Sequence, residues 1–172
     1  VMVFVLIYAR GDRICLSDGT WKPGIAAGLL FALEFLLVGA GLRYTTASHM
    51  VIFLYTAPVF AALGLLWKLP DERLALVQWL GIGVAFAGIV VTFAGNSGSG
   101  APDGSNPLLG DLLGLCAAIA WGATTVVIRT TRLSNSPSTH TLLYQLIGGF
   151  VVLLIAAILM DQTYFHPTPR AF

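Results

Sequence analysis

Long apolar runs alternate with short polar ones along the whole chain. Residues 1–9, VMVFVLIYA, are apolar. They are too short to cross a hydrocarbon core of ~30 Å, which needs about 20 residues. They are expected to be the tail of a helix whose beginning is missing. A polar connection follows at 10–23. Residues 24–42 form a 19-residue apolar run, which at ~1.5 Å per residue reaches roughly 28 Å. Arg43 to Thr45 make a tight turn into the next run, 46–67, which contains Pro58. A short charged loop at 68–73 leads to the run 74–94. Residues 95–107, GNSGSGAPDGSNP, are nearly all small or turn-forming and read as a flexible linker. Two further runs, about 108–128 and 141–160, flank a polar connection at 129–140.

The five full runs are apolar on every side. Helices of a soluble bundle show one apolar stripe and one polar face. Open strands are excluded in lipid because their backbone groups would lack partners. The pattern therefore predicts an all-α, polytopic bundle of transmembrane helices. Composition agrees, with 57% hydrophobic and 10% charged residues, against about 25% charged in soluble domains. The net charge of +1 gives no basis for a nucleic-acid partner. Cys15 and Cys116 do not read as a disulfide framework or metal site. No cofactor is expected. Val1 stands directly in an apolar run, without the basic stretch and cleavage site of a signal peptide.

Loop charge predicts orientation. Loops 10–23, 68–73 and 129–140 fall on one side and hold seven Lys and Arg residues. The other side holds two, Arg43 and Arg170. The positive-inside rule puts the seven-charge side in the cytoplasm and the linker outside, with the bilayer expected to be a bacterial plasma (inner) membrane.

Few residues suggest chemistry. Glu34 stands ten residues into its run, near the bilayer midplane, where a charge costs on the order of 2.5–3.5 kcal/mol. It is expected to be protonated or to face a polar cavity. Two readings stand: a proton-coupling or amine-binding carboxylate, or a structural hydrogen bond to a neighbouring helix. Pro58 removes a backbone donor mid-run and predicts a kink. Asp111 and His49 read as interfacial residues near the outer ends of their helices. Tyr55, Gln78, Trp79, Trp121 and Gln145 fall within runs, where packing and cavity lining are both open to them. Tyr44, Trp67 and Tyr144 suit interfacial belts. Small residues pair at helical spacing at Gly24/Gly28, Gly81/Ala85, Gly83/Ala87 and Gly110/Gly114, letting backbones approach. No catalytic set appears, so an enzyme is not expected.

The stretch from Gly41 to Val91 resembles the end of the first repeat of EamA-type proteins in the drug/metabolite transporter superfamily. The resemblance is carried by the turn at Gly41–Ser48, Pro58, the acidic-basic turn at Asp71–Arg73 and the Gly-rich helix Gly81–Gly88. Gly110–Thr130, with Trp121–Gly122, is similar to the opening helix of the second repeat. The resemblance implies ten helices in two inverted five-helix repeats. Residues 1–94 would belong to the first repeat and 108–172 to the start of the second. The first helix and the last three would be absent. It further implies a secondary transporter exporting or exchanging small organic metabolites, with Glu34, Tyr55 and Tyr144 as candidates for substrate or proton coupling. The alternative is a structural or signalling membrane protein with no solute pathway.

Overall fold

The computed structural model describes residues 19–69, 75–95 and 106–160. The apolar run 1–9, Cys15, the turn Asp71–Arg73 and most of the linker 95–107 lie outside the described residues. The described chain folds as helices α1 (Trp21–Gly41), α2 (Ala47–Leu54), α3 (Ala57–Lys68), α4 (Leu76–Gly95), α5 (Pro107–Thr130) and α6 (Ser138–Leu159). A single 3-10 turn, Arg132–Asn135, joins α5 to α6. Among the described residues four stretches are long and apolar enough to cross a membrane: Trp21–Gly41, Ala47–Lys68, Pro107–Thr130 and Ser138–Leu159. Helix α4 adds a fifth apolar helix of 20 residues. The all-α, polytopic architecture is as expected.

Local chemistry sets the helix ends. Asn106 caps α5, its Oδ1 accepting from the Leu109 N–H at 3.3 Å, and Pro107 opens the first turn, where a missing N–H does no harm. Thr46 caps α2, its Oγ1 accepting from the His49 N–H. The run expected as one kinked helix is two helices broken at Tyr55–Thr56. Pro58, in the first turn of α3, has no N–H to offer the Leu54 carbonyl. The Thr56 hydroxyl donates to the Phe53 carbonyl at 2.6 Å and helps close the break.

Packing follows the small residues. Helix α6 lies on α1, α1 on α5, and α5 on α2 and α3. Gly24 and Gly28 of α1 meet Tyr144 and Gly148 of α6, so these two helices run parallel. Gly19 meets Arg132 and Gly41 meets Gly110, so α1 and α5 are antiparallel. Gly110, Gly114 and Gly122 meet Thr45, Phe53 and Ala61 in turn, so α5 runs alongside α2 and α3. The core is correspondingly fine-grained: Ala27, Ala32, Ala117, Ala118 and Ala120 are buried, with Met50 and Leu133 the larger plugs. Ile25, Leu29, Leu33, Phe35 and Leu154 are exposed, an apolar outer surface suited to lipid.

These directions sort the charges. Lys22, Leu69, Arg129 and Arg132 gather at one end of the bundle. Arg43 lies at the opposite end, in the turn beside Gly110. At the basic end Lys22 Nζ lies 5.5 Å from the Trp21 ring centroid and Lys68 Nζ 5.0 Å from that of Trp67.

Candidate functional site

Glu34 lies in the packed interior, 8% exposed. Gly41, seven residues on, shares its face of α1, because seven residues close almost two helical turns. Gly41 abuts Gly110 and Leu113 of α5, so Glu34 is presented to α5. Counting seven residues inward from the Gly41–Gly110 contact between antiparallel helices gives the partner level Ala117. Ala117 and Ala118 are fully buried there. The acid therefore sits mid-bundle against an alanine-rich face.

A groove lies elsewhere on the bundle. Helices α3 and α5, with Gln78 of α4 at the edge, line an open hollow of about 480 Å³ that includes Pro58, Ala61, Trp121, Thr125 and Arg129. Its existence depends on two sequence features. Gly122 lets the Phe60–Ala61 backbone come against α5, where a Cβ would stand 2.9 Å from the Ala61 nitrogen. Trp121, one residue earlier, projects to a different side and faces the hollow. The break before Pro58 shapes the opposite wall. The lining combines the Trp121 ring, the Gln78 amide, whose Oε1 accepts from the Ala75 N–H, the Thr125 hydroxyl, which donates to the Trp121 carbonyl, and the Arg129 guanidinium. A volume of this order suits a small organic molecule. Glu34 lines neither this groove nor a second one of about 480 Å³ between α1 and α6, which runs past Phe35, Arg43 and Met160.

The remaining sequence candidates do not converge with Glu34. Tyr55 is 72% exposed and points away from the described bundle. Tyr144 packs its ring on Gly24, ten residues and ~15 Å along α1 from Glu34. Gln78 and Trp121 do line the groove. Trp79 is exposed.

A buried polar cluster was not legible in the sequence. Thr45 Oγ1 donates to Asp111 Oδ1 at 2.7 Å, and His49 Nδ1 lies 3.4 Å from the same oxygen. Asp111 is 5% and His49 9% exposed: both lie near the starts of their helices, as the sequence suggested, but buried in the protein. The cluster fastens the turn 42–46 and the start of α2 onto α5. Gly110 makes this approach feasible, since a Cβ there would lie 2.7 Å from the Thr45 nitrogen. No local signal could reveal a pair separated by 66 positions. Among the described residues no group of three or more side chains could hold a metal ion.

Comparison with known proteins adds to the geometry. The model of the EamA-like transporter family matches residues 1–94 and 108–172. No curated protein and no solved structure gives a significant match. The matched segments take in every described transmembrane-length helix except the first residue of α5 and the last of α4. The spans, the broken helix at Pro58 and this coverage lead to one conclusion: the chain is an integral, multi-pass membrane protein belonging to the EamA-like transporter family.

Proposed function

We propose that the chain forms part of a secondary transporter that exports or exchanges small organic metabolites, amino-acid-like or drug-like in size, by alternating access. The observation that carries the reading is the groove between α3 and α5, edged by Gln78 of α4, with its mixed lining of Trp121, Gln78, Thr125 and Arg129. A helix broken at Pro58 forms one wall, and interrupted helices are how transporters build solute sites and hinges in lipid. On this reading residues 1–94 belong to one repeat, 95–107 form an extracytoplasmic linker and 108–172 open an inverted second repeat. The basic end faces the cytoplasm of a bacterial plasma membrane.

Glu34 is the proposed proton-coupling carboxylate, acting from the α1–α5 interface rather than inside the groove. Tyr55 and Tyr144 would contribute to solute contact from the outward face of α2 and from the α1–α6 seam. The close packing around Glu34 also favours a second reading, in which the acid is structural. The test is reconstitution of the full-length transporter with a panel of amino-acid-like and drug-like solutes and a proton-flux readout. Coupled flux is expected, with Glu34→Gln abolishing its pH dependence. An unchanged rate and pH dependence in Glu34→Gln would remove the acid from the mechanism. No flux of any solute through the folded wild type would favour a structural or signalling protein.

A further inference from the structure

Helices α1 and α6 touch at one end and part toward the other. They run parallel, with Gly24 and Gly28 pressed against Tyr144 and Gly148. Further along, a Cβ on Gly39 would meet nothing within 4 Å. The space left there is the hollow of about 480 Å³ between the two helices. Short side chains keep it open: Gly39 and Ala40 on α1, Ala156 and Ala157 on α6. Phe35 and Leu153 stand at its inner end, Met160 and Arg43 at its mouth. Among the described residues Arg43 alone brings a charge to the lining, and no carboxylate lines it.

Depth and shape narrow the occupant. From Phe35 to Arg43 the hollow follows α1 for eight residues, or ~12 Å. Half of a ~30 Å hydrocarbon core is ~15 Å, so the hollow crosses most of one leaflet and ends among its headgroups. A helix ~10 Å across and ~12 Å long would fill roughly 900 Å³, about twice the space present. A single acyl chain is slender enough to lie in it.

The mouth presents charge of both signs. The exposed Arg43 guanidinium matches phosphate oxygens in shape and charge. Helix α1 ends at Gly41 and α6 at Leu159, so two parallel helices bring their C-terminal ends to this mouth. Those ends carry partial negative charge. A purely anionic headgroup would gain from Arg43 and be repelled by both helix ends. A zwitterion with phosphate on Arg43 and a cation over the helix ends is favoured at all three. A compact ammonium comes closer to that negative charge than a trimethylated one.

We propose that this hollow holds one phosphatidylethanolamine molecule from the leaflet on the Arg43 side. Its phosphate lies on Arg43, its ammonium at the C-terminal ends of α1 and α6, and one acyl chain along Gly39, Ala156 and Ala157. The proposal goes beyond the transport reading, and either can fail while the other stands.

The experiment is native mass spectrometry of the full-length protein extracted from vesicles of equal phosphatidylethanolamine, phosphatidylglycerol and phosphatidylcholine. The wild type is expected to retain phosphatidylethanolamine over both others. Arg43→Gln, at an exposed position, should cut that retention about five-fold. Gly39→Leu fills the hollow and should abolish the preference at unchanged stability, while Gly81→Leu, equally open on α4, should leave it intact. Equal retention of the three lipids by the wild type would overturn the site. So would unchanged retention in either folded variant. A preference for phosphatidylglycerol would overturn the zwitterion assignment. Destabilisation by Gly39→Leu and not by Gly81→Leu would put a protein helix in the hollow in place of the lipid.

Discussion

Replacing Gly28 by alanine probes the α1–α6 contact with one added carbon. A Cβ at Gly28 would stand 2.7 Å from the Tyr144 carbonyl oxygen and 3.2 Å from Gly148 Cα. Both neighbours are backbone, so no side chain can swing aside. Ordinary contact begins near 3.4 Å, and the helices must separate by about 0.7 Å along most of the interface, as expected of an overpacked site. The cost of such overpacking is roughly 1–3 kcal/mol. Alanine also gains up to about 1 kcal/mol over glycine as a helix former. Gly81→Ala on α4 supplies the correction: nothing lies within 4 Å of a Cβ there, so only the helix-forming gain applies. The difference between the two variants isolates the packing cost. It should be about 1–3 kcal/mol, or roughly five-fold to over a hundred-fold in the unfolding equilibrium. The assay is reversible unfolding of the chain in mixed micelles titrated with a denaturing detergent, followed by circular dichroism. Two variants agreeing within about 0.5 kcal/mol, well below the overpacking range, would refute the close approach of α1 and α6.

Three further outcomes follow from the same structure. Thr45→Val removes the donor to buried Asp111 and should destabilise the chain by about 1–3 kcal/mol; a double-mutant cycle with Asp111→Asn should show coupling above roughly 0.5 kcal/mol, and strict additivity would deny the bond. In a cysteine-free background, Lys22→Cys and Ser134→Cys should react with an impermeant maleimide from the same side of the membrane and Arg43→Cys from the other, since the first two positions share the basic end; labelling of all three from one side would contradict the helix directions. In the full-length transporter, Trp121→Ala should raise KM for a transported solute several-fold while barely changing stability, because Trp121 is partly exposed and lines the groove; an unchanged KM would take the groove out of the solute path.

Pattern alone located the membrane helices. The runs expected at 24–42, 46–67, 108–128 and 141–160 became Trp21–Gly41, Ala47–Lys68, Pro107–Thr130 and Ser138–Leu159. A helix in lipid satisfies its own backbone, so its presence depends on local residues and can be read locally. The alternation of charge across the loops was legible for the same reason. Pro58 announced the interruption in the third run, since a missing N–H is a local fact.

Tertiary structure decided everything that depends on which face meets which. The runs are apolar all round, so they carry no amphipathic phase to mark a packed side. Gly24/Gly28 and Gly81/Ala85 have the same spacing, yet one pair is pressed against α6 while Gly81 has nothing within 4 Å. Tyr55 and Gln78 both fell within apolar runs, and only Tyr55 was a candidate for substrate or proton coupling; the fold turns Tyr55 outward and brings Gln78 to the groove. Asp111 joined Thr45 and His49 in the interior because α5 docks beside α2, a neighbour relation no local pattern contains. The chain that began as a row of apolar segments thus owed its helices to local backbone chemistry, and its groove, buried acids and basic end to the packing of faces that look alike in the sequence.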